Sequence, residues 1–219
     1  MKEKKFFLLA LVLETMLLFA ACDREEPQAA PAQNAAVSTE AAREVPAGEE
    51  ASEADASGRG VQVTFDVQRM PTAASNQIAL WVEDADGRVV RTVYASSFTA
   101  ARRGYERRAD SLRHWVAAAR PDAMTDTQID AVSSATLAPG HAKFFWDLKD
   151  DDGQEVPAGR YKLYLEGTLY WSSNILYTAE LDTREAADGA LSVTSERSEP
   201  ENPENEDMLQ NVTMQAVNF

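Results

Sequence analysis

The sequence predicts a mainly β protein, an immunoglobulin-like β-sandwich with one inserted amphipathic helix. Three observations predict it. Between Val61 and Leu181 short segments alternate apolar and polar residues, the period of a half-buried strand. Asp-Gly turn signals punctuate them at Asp86-Gly87, Asp152-Gly153 and Asp188-Gly189. Only the stretch from Tyr105 to Ala119 shifts to a sustained helical period. Short strands broken by turns build a sandwich, whereas a parallel sheet would need a helix between successive strands.

Taken from its start, the chain opens Met1-Lys2-Glu3-Lys4-Lys5 and runs on through Phe6 to Leu13, resuming after Glu14 as Met16 to Phe19. A basic start before a short apolar run is the layout of an export signal, and the run is shorter than the roughly 20 residues of a spanning helix. It ends Phe19-Ala20-Ala21-Cys22, which resembles a lipobox: small residues admit the signal peptidase and the thiol receives the lipid. Residues 1–21 are expected to be a lipoprotein signal peptide and Cys22 the lipidated residue. That places the chain on the extracytoplasmic face of a membrane, with Asp23 favouring the inner membrane where enteric sorting rules apply. Cys22 is the only cysteine, so its acylation leaves no thiol for a disulfide or a metal site.

Residues 22–60 are rich in Ala, Pro and Glu and contain no aromatic side chain. Such a segment buries too little apolar surface to offset its ordering entropy and is expected to be a disordered tether, about 35 Å from end to end on average. Residues 61–195 form the expected sandwich domain. Val61, Val63, Phe65 and Val67 alternate with polar neighbours; Ile78 to Glu83 and Val89 to Tyr94 flank the Asp86-Gly87 turn. A helical insertion is expected at about 105–132, with Leu112, Trp115, Val116 and Ala119 on one face, Pro121 as its stop, and Thr125 capping a further turn. Strands resume at Ala142 to Leu148, Arg160 to Tyr170 and Asn174 to Leu181. Residues 196–219 read as an acidic linker closing in a terminal edge strand that carries Val212, Met214 and Ala216.

Acids outnumber bases 36 to 21, for a net charge of -15. A chain this acidic has little with which to neutralise phosphates, so nucleic acid is excluded as a partner. The expected partners are a membrane, through the lipid anchor, and a protein of the envelope.

The run Phe145 to Tyr161, with Trp146-Asp147, Asp152-Gly153 and Val156-Pro157-Ala158-Gly159, resembles the signature hairpin of the immunoglobulin-like domain of the flagellar hook-capping protein. The wider span from Gln77 to Asp182 resembles an uncharacterised family of predicted periplasmic proteins, a domain of unknown function. The order of motifs is the family's: a hairpin Ala79 to Thr92, a helix Leu112 to Ala119, the segment Asp130 to Gly140, and the Trp-Asp hairpin. The resemblance implies the sandwich and implies no activity, since a fold does not carry one.

One segment invites a chemical reading. Asp130-Ala131-Val132-Ser133-Ser134-Ala135-Thr136 resembles the flavin-attachment motif of exported FMN-binding domains. There the final hydroxyl is joined to FMN through a phosphoester by a flavin transferase. The resemblance implies Thr136 as acceptor, Asp130 and Ser133 as supporting residues, and covalent FMN as the cofactor. Ser134 stands where the motif has Gly. The other reading of these residues is a capped turn whose serine hydroxyls satisfy backbone groups ahead of Pro139-Gly140.

The acids from Asp147 to Asp152 miss the calcium-loop pattern, since Leu148 occupies the first ligand position. The chain has two histidines, His114 and His141, and neither thiols nor further imidazoles to complete a transition-metal site. No serine lies in a nucleophile elbow. Tyr170 and Trp171 offer an aromatic platform of the kind that stacks on sugars or flavins. The leading expectation is a non-enzymatic, membrane-anchored accessory or binding module of a cell-envelope system. The alternatives are a covalent FMN carrier flavinylated at Thr136 and a carbohydrate or cell-wall binder.

Overall fold

The computed structural model describes residues 58–198 and 203–219; the export signal, Cys22 and the expected tether lie outside them. The described residues form two sheets. In β1 (Gly60–Val67) the alternation read from the sequence is literal: Val61, Val63, Phe65 and Val67 are buried, with half-buried polar residues between them. β2 (Gln77–Asp84) and β3 (Val89–Ser96) pair antiparallel across a turn in which Gly87 takes φ 77°. The Asp84 carboxylate closes that turn by accepting from the amides of Asp86 and Arg88.

The remaining strands are β4 (Ser133–Ser134), β5 (Gly140–Trp146), β6 (Arg160–Tyr170), β7 (Ser173–Asp182), β8 (Gly189–Ala190), β9 (Val193–Ser198) and β10 (Leu209–Val217). One sheet has the order β5-β1-β10-β8, the other β4-β3-β2-β6-β7-β9. The chain crosses between sheets from β1 to β2, from β4 to β5 and from β5 to β6, and again at each step from β7 to β10. The first three crossings and the β3-β2-β6-β7 neighbourhood reproduce the B, C, C′, E, F and G strands of a variable-type immunoglobulin sandwich.

Tyr161, at the start of β6, fixes the corner after the second crossing to that sheet. Its hydroxyl donates to the Pro157 carbonyl four residues upstream, and its ring meets Trp146 edge-on at 5.3 Å between centroids. A tyrosine tied back to its own approach in this way is the corner device of immunoglobulin-type domains. The inner faces of the two sheets meet through Phe65, Leu80, Val82, Leu163, Leu165, Met214 and others, all buried. Each such aliphatic or aromatic side chain contributes about 2 kcal/mol when taken fully out of water.

β10 is paired along one side by β1, from Gly60↔Val217 to Val67↔Leu209, and along the other only at Gln215 and Ala216, by the two residues of β8. It takes the place that a leading A strand fills in an immunoglobulin domain. Leu209, Met214 and Ala216 face the core, and burial along one face requires a paired strand rather than a loose edge. The expected linker begins later than residue 196, because Glu196 belongs to β9, where peptide pairing with β7 holds a strand whose side chains stay largely exposed.

The single amphipathic helix resolves into pieces: α1 (Gly104–Arg107), α2 (Arg113–Ala119), a 3-10 turn over Pro121–Ala123, and α3 (Asp126–Val132). The helix breaks at Leu112, which takes φ 51°, because its amide is drawn to the Thr168 hydroxyl on β6 at 3.0 Å. The next amides also find partners on β6. The Glu166 carboxylate, fully buried, accepts from the His114 amide at 3.2 Å, the Trp115 amide at 3.0 Å and His114 Nδ1 at 3.0 Å. Leu112 and Trp115 then cover Ala79, Trp81 and Ala95 on the outer face of the six-stranded sheet.

The Asp-rich hairpin protects an edge. Asp151 places its amide on the Val90 carbonyl at 3.0 Å and its carboxylate on the Thr92 amide at 3.1 Å, so the outer rim of β3 is paired although no long strand lies beside it. Burial pushes the Asp151 carboxyl up, outweighing the Thr92 amide and Arg91 that oppose the rise.

Because Glu166 replaces water for two helix amides and an imidazole, Glu166→Ala is expected to cost about 3 kcal/mol. Tyr161→Phe, which keeps the ring and removes one hydrogen bond, should cost about 1 kcal/mol. Urea unfolding midpoints compared with the parent chain measure both.

Candidate functional site

The segment singled out by its sequence lies where the helical insertion returns to the sandwich. Thr125 and Gln128 form a reciprocal capping box that starts α3, with Thr125 N to Gln128 Oε1 at 2.9 Å and Gln128 N to Thr125 Oγ1 at 3.3 Å. Val132 is buried against the insertion's own cluster, and the chain leaves the helix at Ser133 with φ -86° and ψ 130°. Ser133 and Ser134 then lie parallel to Ala95 and Ser96 at the end of β3.

Three contacts hold the chain from Ser134 to Leu137. Ser97 donates its amide to the Ser134 carbonyl at 2.9 Å, Tyr94 donates its hydroxyl to the Ala135 carbonyl at 2.7 Å, and Leu137 packs against the main core. Thr136 sits between the last two, half-buried, and its hydroxyl has no hydrogen-bond partner among the described residues. Ser133 Oγ is buried and likewise unpartnered there. Asp130 is exposed on α3, and no hydrogen bond or ion pair joins it to either hydroxyl. The structure thus brings Ser133 and Thr136 to one fixed strand end and leaves Asp130 on the helix surface.

Ser134 stands in extended backbone and outside the left-handed region. Nothing about its resting conformation calls for glycine. The capped-turn reading is met only in part: α3 is capped by Thr125, while the Ser133 hydroxyl satisfies no backbone group.

His141 belongs to a different contact. Its Nδ1 lies 3.0 Å from Asp66 Oδ1 on the neighbouring strand, and Asn211 on β10 donates to the other Asp66 oxygen at 2.7 Å. The Asn211 amide first, then His141, hold the Asp66 carboxyl below its usual range. At the Asp-rich turn Asp150 Oδ1 accepts from the amides of Asp152 at 3.0 Å and Gln154 at 2.8 Å, while Leu148 takes φ 58°. Among the described residues no three carboxylates and imidazoles converge as a metal site requires.

A shallow cleft of 570 Å³ opens between the β2–β3 turn and the Asp-rich hairpin, lined by Asp84, Arg88, Asp151, Pro157 and Tyr161 among others. It lies at the Val89 end of β3, away from Ser133 and Ser134, which pair at the opposite end. A smaller recess of 420 Å³ is lined by Arg69 to Ala73 and Asn76.

Tyr94 and Glu166 are the residues that reading the sequence does not reveal. Each looks like an ordinary strand position, and each acts on a segment tens of residues away.

A model of a family described as a predicted periplasmic protein (DUF2271) matches residues 59–198. The chain belongs to this family. Its description is extracytoplasmic and its function is unknown, so membership supports the periplasmic location without supplying a reaction. The match covers β1 through β9 and stops before β10, the strand that completes the smaller sheet. Among curated proteins and solved structures, none matches the chain significantly.

Because Asp66 binds its proton less tightly in the folded chain, its contribution to the stability of this periplasmic domain is present above about pH 4 and is lost as pH falls through the lowered folded value. In Asp66→Asn the urea midpoint should fall less steeply with acidification than in the parent; parallel acid limbs would contradict the assignment.

Proposed function

We propose that this chain is a lipid-anchored, non-enzymatic module of a cell-envelope system and that it works as an electron carrier, with FMN joined to Thr136. The observation that carries the reading is the state of the Thr136 hydroxyl. It is unpartnered among the described residues, half-exposed, and set on backbone fixed by the Tyr94 bond to Ala135 on one side and the packing of Leu137 on the other. A capped turn alone would have used its hydroxyls on the backbone.

Attachment requires a donor whose flavin phosphate is already activated, such as a pyrophosphate-linked flavin dinucleotide. Thr136 Oγ1 takes the phosphoryl group, its proton leaves to a base of the transferase, and the nucleoside monophosphate departs as the pyrophosphate bond breaks. This chain contributes the acceptor and its orientation, and exposed Asp130 offers a contact for the transferase. Bound FMN would supply reversible electron uptake, with the protein setting position and environment. The expected lipid at Cys22 and the segment of residues 22–60 would keep the carrier within tens of ångströms of a membrane.

Co-expression with a flavin transferase should yield a band that fluoresces on a denaturing gel and an intact mass raised by one FMN phosphoester. Thr136→Ala should abolish both while leaving the far-ultraviolet circular dichroism unchanged. An adduct that survives Thr136→Ala, or none in the parent chain, would overturn the carrier reading. Cys22→Ser tests the anchor separately: the protein should move from the membrane fraction to the soluble one.

A further inference from the structure

The hairpin between β6 and β7 turns through Trp171, which takes φ 40°. L-residues with bulky side chains rarely occupy this left-handed region, and holding one there costs on the order of 1 kcal/mol or more. The strain yields no core packing. Trp171 is 57% exposed, while the other three tryptophans, Trp81, Trp115 and Trp146, are at most 1% exposed.

What surrounds the indole is built. The Arg108 guanidinium lies over the Trp171 ring, 5.5 Å from its centroid, and Tyr170 stands edge-on at 6.1 Å. The same guanidinium donates to the Ala73 carbonyl at 3.0 Å and to the Ala74 carbonyl. Ala73 lines the 420 Å³ recess together with Arg69, Pro71 and Thr72. Arg108 therefore ties an exposed aromatic plate to a neighbouring recess.

Within the insertion bases outnumber acids, although the acidic turn Pro203–Met208 packs on the same end of β6, where Asn205 donates to the Leu169 carbonyl and Met208 accepts from the Gln68 amide. Between Ser97 and Arg113 five arginines face two acids, Glu106 and Asp110, in a protein of net charge -15. Arg69, Arg102 and Arg107 are exposed; Arg103 pairs with Glu106 at 3.1 Å. An aromatic plate offers a surface for the apolar face of a sugar ring, while a guanidinium binds a carboxylate through paired hydrogen bonds. We propose that the Trp171 hairpin, the arginines of the insertion and the recess from Arg69 to Ala73 form a binding site for a carboxylate-bearing cell-wall glycan. The site lies at the end of β6 remote from Tyr161 and Trp146, and so remote from Gly60, where residues 22–60 join the sandwich. It does not depend on whether Thr136 carries FMN.

Since Trp171 is the only exposed tryptophan, acrylamide quenching of the full chain in detergent micelles reports on it selectively. Soluble glycan strands carrying N-acetylmuramic acid should shield it saturably, and neutral chitotetraose should do so about tenfold less well for lack of the carboxylate. Co-sedimentation with purified sacculi should be lost in Trp171→Ala, weakened in Arg107→Ala and largely kept in Trp171→Phe, with circular dichroism confirming that each variant folds. Absence of shielding, equal shielding by the neutral glycan, or shielding by anionic lipid vesicles or an acidic protein without any by the glycan would overturn the proposal.

Discussion

A carboxylate with no access to water holds the helical insertion on the sandwich. Glu166 projects from the outer face of β6 into the first turn of α2, where free amides are short of acceptors by the geometry of any helix start. Its burial is tolerable because both oxygens are occupied, one by the His114 amide and ring and the other by the Trp115 amide. From that anchor comes the seating of Leu112 and Trp115 over Trp81 and Ala79. Six consecutive residues of β2 are buried as a result, three facing the other sheet and the alternate ones facing the insertion.

The insertion in turn delivers the segment on which function is proposed. α3 follows α2 and runs back to the edge of β3, where the two-residue strand of Ser133 and Ser134 ends that return. The rim of β3 is then shared between two intruders: this short strand at one end and the Asp151 plug at the other. An unprotected edge invites association with other strands. The acids of the hairpin, which miss the calcium-loop pattern, serve this edge and the turn that brings Asp151 to it.

The β2–β3 turn and the Asp-rich hairpin gather acids at the end near Gly60, while the Trp171 end carries the arginines of the insertion together with Glu206 and Asp207 of the turn before β10. A protein of net charge -15 can still meet an anionic partner through those arginines. Membership in a periplasmic family of unknown function is compatible with both the carrier and the glycan-binding roles, since they use different residues at separate places in the fold.

What the sequence determined by itself is local. The strand alternation of β1, the Asp84 to Arg88 turn, the capping box of α3 and the Trp-Asp hairpin depend on residues within a few positions of one another, and propensity and periodicity report such contacts directly. The tertiary structure decided the rest. It broke the helix at Leu112, because Thr168, 56 residues away, claims the amide; it joined the last strand to β1, the first strand of the sandwich. It also placed the Tyr94 hydroxyl behind Thr136 across 41 residues of chain, from Tyr94 to Ala135. Hydrogen bonds that span such separations leave no periodic mark, since each depends on which surfaces the folded sheets bring together.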